Sequence, residues 1–226
     1  MGLIKKIKEA LTRGNNNPWN NAEPLSKEVK RLLADAERGD IDAQYRLGHR
    51  LYYGEGMNQD FEKAVTWLKK AAEGGNQNAR FLWGISLFEG KGAEADPTKA
   101  EEIIKETFGA TDKASEANPS DTEKIISWHI RAAEAGNIEA QFLLGVIYYE
   151  GENTTRDFKE AIRWYQAAAE QGHAEAQYNL GYCYADGQGV GQDLKEAFRW
   201  FKKAADQSYE PAIEKTDEFE PGLKNI

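Results

Sequence analysis

The chain has 226 residues and a formal net charge of −9, from 29 Lys and Arg against 38 Asp and Glu. That length admits one large domain or a short repeat array, and the acidic balance argues against nucleic acid as the main ligand, because phosphates are drawn to clustered cations. The single cysteine, Cys183, excludes an internal disulfide and a thiolate metal cage and reads as a buried, inert thiol.

Residues 1–24 open the chain. Leu3, Ile4, Ile7 and Leu11 fall on one side of a helix, with Lys5, Lys6 and Lys8 opposite. This segment has no continuous apolar h-region and no small-residue cleavage site, so it is a poor secretory signal. Lys6 stands where myristoylation after Gly2 expects Ser or Thr. No run approaches the ~20 apolar residues of a spanning helix. The expected compartment is cytoplasmic. The basic helix is expected to fold back onto the rest, with membrane contact the less favoured role and a disordered segment the remaining alternative. Asn15, Asn16, Asn17, Pro18, Asn20 and Asn21 around Trp19 make the segment up to Pro24 a linker by composition. Residues 25–41 read as a lone capping helix.

From residue 42 the chain repeats itself, which decides the fold. Ala43-Gln44-Tyr45-Arg46-Leu47-Gly48 returns as Ala79-Arg80-Phe81-Leu82-Trp83-Gly84, Ala140-Gln141-Phe142-Leu143-Leu144-Gly145 and Ala176-Gln177-Tyr178-Asn179-Leu180-Gly181. Gly54-Glu55-Gly56 matches Gly90-Lys91-Gly92 and Gly187-Gln188-Gly189; the third copy has Gly151 and then Asn153, the usual substitute at positive φ. Asp60, Asp96, Asp157 and Asp193 follow at a fixed distance, and Trp67, Trp164 and Trp200 after them. Each unit therefore reads as two helices. Helix A ends at the Gly-x-Gly turn, and the Asp caps helix B. Helix B carries a stripe such as Ala64, Trp67, Leu68 and Ala71 at helical spacing. Small residues let the helices approach, and the Trp is expected to fill the remaining gap. One pair cannot bury such a face alone, so neighbours must stack.

The units are placed at 42–77, 78–138, 139–174 and 175–210, within an array spanning 42–212, with an acidic cap at 211–226. The second unit is longer because both Asp96-Pro97 and Asp121-Thr122 look like a helix B start. The insert 97–120 is expected to hold an extra helix, about Pro97 to Phe108, or a loop protruding from this unit. It is read as a tolerated surface insertion or a partner-contacting element.

The pattern Ala-Gln-x-x-Leu-Gly-x-x-Tyr-x-x-Gly-x-Gly, then Asp, Lys-Ala, Trp-Tyr and Ala-Ala-x-x-Gly, resembles the Sel-1-like repeat, a relative of the tetratricopeptide repeat. The resemblance covers about Asp42 to Ala212. It departs at Trp83, at Leu51 and Leu87, and at Asn153, none of which threatens the fold. It implies an all-α, right-handed α-α superhelical solenoid whose first helices line a concave surface. By the same similarity the inward positions are Tyr45, His49, Tyr52 and Tyr53; Phe81, Ile85, Phe88 and Glu89; Phe142, Val146, Tyr149 and Glu150; and Tyr178, Tyr182, Ala185 and Asp186. Tyr45, Phe81, Phe142 and Tyr178 read equally well as core, whereas Tyr52, Phe88 and Tyr149 are expected to be exposed. The strip is aromatic and edged by carboxylates, a composition typical of interfaces.

The resemblance implies a non-enzymatic adaptor or scaffold that binds a protein or peptide, with a basic partner favoured by the acidic rim. A bacterial immunity protein blocking a cognate toxin is the alternative it also implies. No cofactor, metal or nucleic acid is expected. His49, His129 and His173 lack the spacing of a zinc site, and no nucleophile elbow or Walker loop occurs. Gly187-Gln188-Gly189-Val190-Gly191 imitates a phosphate loop, but the repeat explains its first two glycines as a turn.

Overall fold

The structure, a computed structural model, describes residues 26–109, 120–151 and 154–223. The N-terminal basic helix and linker, the polar link 110–119 and Asn153 lie outside the described residues. Among the described residues there are eleven helices and no strand. The chain divides into two compact units, Met1–Asn118 and Pro119–Ile226.

The first unit holds α1 (Lys27–Glu37), α2 (Ile41–Tyr53), α3 (Phe61–Glu73), α4 (Gln77–Glu89) and α5 (Pro97–Phe108). The second holds α6 (Asp121–Glu134), α7 (Ile138–Glu150), α8 (Phe158–Glu170), α9 (Ala174–Asp186), α10 (Leu194–Ala205) and α11 (Glu210–Leu223). Within each unit every helix packs on the next, and the first helices of adjoining repeats also touch, α2 on α4 and α7 on α9. The chain is an all-α solenoid of helix-turn-helix repeats rather than a bundle around one centre.

The sequence dictates where the helices start and stop. Asp60, Asp96, Asp157 and Asp193 accept backbone N–H groups at the starts of α3, α5, α8 and α10, at 2.9–3.1 Å. The start of α6 is capped by Ser120 rather than Asp121. Ser120 Oγ accepts from the Glu123 N–H, and the Glu123 carboxylate accepts from the Ser120 N–H at 2.7 Å, a reciprocal pair. Asp40, Asn76, Asn137 and His173 cap α2, α4, α7 and α9.

Packing within a repeat is set by one contact. A Cβ added to Gly48 would lie 2.9 Å from Leu68 Cγ. The same test brings Gly84 to Ile104, Gly145 to Tyr165 and Gly181 to Phe201. Leu68, Ile104, Tyr165 and Phe201 are all fully buried, and burying a side chain of this size contributes about 1.5–3 kcal/mol. The residue that fills the space beside the glycine is therefore the one after the tryptophan position. Trp67 is only half-buried, with Lys70 Nζ 4.2 Å above its ring, while Trp164 and Trp200 are buried under Arg163 and Lys203.

The same contact explains the insert. Ile104 stands under Gly84 as Leu68 stands under Gly48, so Pro97–Phe108 is the second helix of the second repeat and packs on α4. It does not protrude: Ala100 and Ile104 are fully buried, because the apolar stripe of this segment has Gly84 and its neighbours to cover it. The helix with Trp128 begins the second unit, where it precedes α7 as α1 precedes α2.

Between repeats the Gln of the Ala-Gln pair is the connector. Gln44, Gln141 and Gln177 donate through Nε2 to the carbonyls of Ala36, Ala133 and Ala169, eight residues back at the end of the preceding helix, at 2.9–3.1 Å. Arg80 does the same through Nε to Ala72 at 3.1 Å, which is why an arginine is tolerated there. In the second unit Gln171 and Gln207 donate in turn to the side-chain oxygens of Gln141 and Gln177, at 2.7 and 2.8 Å.

Candidate interaction surface

The inward positions of the sequence reading do not share one environment. In the first unit Tyr45, His49 and Tyr53 are half-buried and form a row one helical turn apart along α2, with ring centroids 5.8 Å and 4.7 Å apart. Glu55 lies 3.4 Å from His49 Nδ1. Tyr52 is buried at 7 % exposure, edge-on to Phe61 at 5.2 Å. The expectation that it is exposed fails because Phe61, at the start of α3, covers it. Phe81 and Ile85 are core, Phe81 edge-on to Phe108 at 6.1 Å. Phe88 is half-buried, and Glu89 is exposed and pairs with Lys91 at 2.7 Å.

In the second unit Phe142, Val146 and Ala185 are core. Phe142 stacks on the His173 ring at 4.4 Å. Tyr149 is half-buried against Phe158, and its O–H donates to Gln188 Oε1 in the turn of the following repeat. Gln188 thus has a structural partner in the loop that imitates a phosphate site. Glu150 is half-buried, Tyr178 and Tyr182 are partly exposed, and Asp186 is exposed. Tyr178 and Tyr182 stand edge-on at 4.9 Å with their hydroxyls 3.3 Å apart.

Electrostatics single out the tyrosines of this unit. Burial raises the Tyr149 phenol above its ordinary range, and the Asp186 and Glu150 carboxylates add to the effect. Burial and the hydrogen bond with Tyr182 raise Tyr178, with Glu214 and Glu175 adding to it. Cys183 is buried, and burial followed by Asp186 pushes its thiol up to about 12, which matches the inert thiol expected of it.

Sequence reasoning reads Tyr209-Glu210-Pro211-Ala212 as the start of another first helix but places no surface residue on it, the α11 of the structure. Tyr209 packs against Tyr178 at 5.4 Å, and Lys215 Nζ sits 5.6 Å above the Tyr182 ring. The signal was present: counting the repeat step on from Tyr178 leads to Glu214. It also missed His173 as a cap. His173 Nδ1 accepts the Ala176 N–H at 3.2 Å, which leaves the neutral ring's proton on Nε2, and Nε2 lies 3.7 Å from the carboxylate of the fully buried Glu139.

The family model described as the Sel1 repeat matches residues 41–76, 77–103, 119–137, 138–173 and 174–209. The chain belongs to the Sel1 repeat family. The two partial matches, 77–103 and 119–137, flank the polar link. Among solved structures, a Sel1 repeat protein from Oxalobacter formigenes is similar at 25% identity, over 91% of this chain and 87% of that one, with TM-score 0.45. The protective antigen c5321 of uropathogenic Escherichia coli is similar at 25% identity, over 91% of this chain and 55% of its own, with TM-score 0.40. The immunity protein Pa5087 of Pseudomonas aeruginosa is similar at 17% identity, over 92% of this chain and 84% of its own, with TM-score 0.43. No curated protein matches the chain. No described helix is long and apolar enough to cross a membrane. A Sel1 repeat scaffold is suited to protein–protein interaction.

Proposed function

We propose that this Sel1 repeat protein is a non-enzymatic adaptor or scaffold that binds a protein or peptide partner on its helix-A surfaces. One observation carries the reading. The Gly row of each first helix already serves the second helix, yet partly exposed rings remain on the first helices: Tyr45, His49 and Tyr53 in the first unit, Tyr149, Tyr178 and Tyr182 in the second. Rigid aromatic side chains that are partly solvated in the free protein are the type that anchors interfaces.

The test is affinity capture from the native host with mass spectrometry, using the wild type and a Tyr53→Ser, Tyr182→Ser double variant. A partner retained at stoichiometric yield by the wild type and lost from the variant, with unchanged helical circular dichroism, supports the reading. A wild type that retains no protein above background would refute it.

A further inference from the structure

The last described helix, α11, stands in the place of a first helix, one repeat on from α9, but the features that secure first helices are changed in it. The turn before it has Ser208 at φ +63°, where Gly39, Gly75, Gly136 and Gly172 hold the same left-handed backbone. Ser208 is the one non-glycine residue in that region among the described residues, and a Cβ makes the conformation costly. Ile213 stands at the connector position. It has no donor to match the bonds that Gln141 and Gln177 make to the end of the preceding second helix. Tyr209 stands at the cap position of Asp40, Asn76, Asn137 and His173. It lacks the short side chain that accepts N–H groups of its own helix, and its ring packs on Tyr178 at 5.4 Å. Glu210, Glu214, Asp217 and Glu218 are exposed and follow at spacings of three and four, so like charges meet along the helix. Lys215, paired with Glu218 at 2.5 Å, is the one cation among them.

A terminal position does not by itself explain this. The first described helix, α1, has Ser26 as its cap, Gly39 in its turn and the Gln44 connector on its last carbonyls. Its charges alternate in sign, and Arg50 of α2 pairs with Glu28 at 2.6 Å. What holds α11 is mainly apolar. Ala212 is fully buried, Phe219 lies edge-on to Phe201 at 5.4 Å, and Lys215 Nζ is 5.6 Å above the Tyr182 ring. Phe201 also has its own seat under Gly181, and the relay from Gln207 to Gln177 closes before α11 begins. The contacts within α6 to α10 are therefore complete whether or not α11 is in place.

We propose that α11 is a latch. It leaves the second unit as one piece while α6 to α10 stay folded, and its docking decides whether the rings of Phe201 and Tyr178 face protein or water. The strained turn and the run of like charges favour release, and the apolar contacts of Ala212 and Phe219 oppose it. The latch does not depend on the adaptor reading.

Hydrogen exchange of the full chain, resolved residue by residue by NMR, tests this. The amides from Glu214 to Phe219 share one protection factor, about tenfold or more below that of α9 and α10 and above the free-chain rate. Ser208→Gly relieves the turn, and Glu214→Lys turns two like-charge pairs into attractive ones. Each raises the shared factor about threefold or more and leaves α9 and α10 unchanged. Phe219→Ala lowers it toward the free-chain rate, again with α9 and α10 unchanged. Protection that declines steadily toward Phe219 is the fraying of an end and overturns the proposal. So does a factor equal to that of α9 and α10, or free-chain exchange throughout α11. Loss of protection in α9 and α10 along with α11 in Phe219→Ala makes the helix an integral part of the stack and overturns it too. If neither Ser208→Gly nor Glu214→Lys raises the factor, the turn and the charges are not what release the helix, and the latch fails.

Discussion

Gly56 and Gly92 occupy the same place in consecutive turns and differ in one respect. Both have left-handed backbone, at φ +65° and +73°. A Cβ on Gly56 meets nothing within 4 Å, whereas on Gly92 it would stand 2.0 Å from the carbonyl oxygen of Phe61 and 2.3 Å from its carbon. The turn of the second repeat lies against the first residues of α3, and a backbone atom cannot swing aside as a side-chain tip can. Gly56→Ala therefore carries only the conformational cost, about 1 kcal/mol. Gly92→Ala carries that cost and an overpacking term of about 1–3 kcal/mol. Urea titration followed by far-UV circular dichroism, with thermal melting in parallel, measures the difference. In a unit of this size each kcal/mol moves the midpoint by about 4–8 °C, so Gly92→Ala should melt at least about 4 °C below Gly56→Ala. Equal midpoints for the two variants would show that the turn of the second repeat does not rest on α3 in solution.

Three other outcomes are expected. Tyr165→Phe removes a buried hydroxyl that lacks a partner and should leave stability unchanged or raise it by about 1 kcal/mol, read from the urea midpoint; a loss above that would mean the hydroxyl is bonded in solution. Ser208 has φ +63° where the corresponding turns carry Gly39, Gly75, Gly136 and Gly172, so Ser208→Gly should raise the melting temperature by relieving about 1 kcal/mol of backbone strain. The Cys183 thiol, pushed up to about 12 by burial, should resist a thiol reagent up to about pH 10 in the folded protein and react at once in denaturant; fast labelling of the native chain would contradict its burial.

The helices and their caps were legible because each rests on local chemistry repeated at fixed spacing. Asp60, Asp96, Asp157 and Asp193 could be assigned as caps from position alone, and the structure places them so. The identity of the second repeat's partner helix was not legible. Asp96-Pro97 and Asp121-Thr122 are both competent starts, and only the fit of Ile104 under Gly84, a contact across twenty residues, distinguishes them. Exposure along the first helices was less legible. A +4 step from the repeat glycine places Tyr52, Phe88 and Tyr149 alike, yet Tyr52 is buried against Phe61 while Tyr149 stays partly exposed. Exposure there depends on the ring that opens the next helix and on how it turns, which periodicity does not encode. Glu214 and Lys215 were overlooked because α11 has lost the repeat's signature residues while keeping its place.

The relay of glutamines has a thermodynamic corollary. In the second unit Gln171 and Gln207 bind each connector from its own repeat while the connector grips the repeat before it, so three successive helices share one buried amide. In the first unit Gly74 stands where Gln171 would be, and Gln44 has no such relay from its own repeat. Linear arrays melt according to the strength of their nearest-neighbour couplings. The half that carries the relay, α11 apart, should accordingly unfold as a single cooperative block, with slow amide exchange throughout, while the other opens repeat by repeat from its ends.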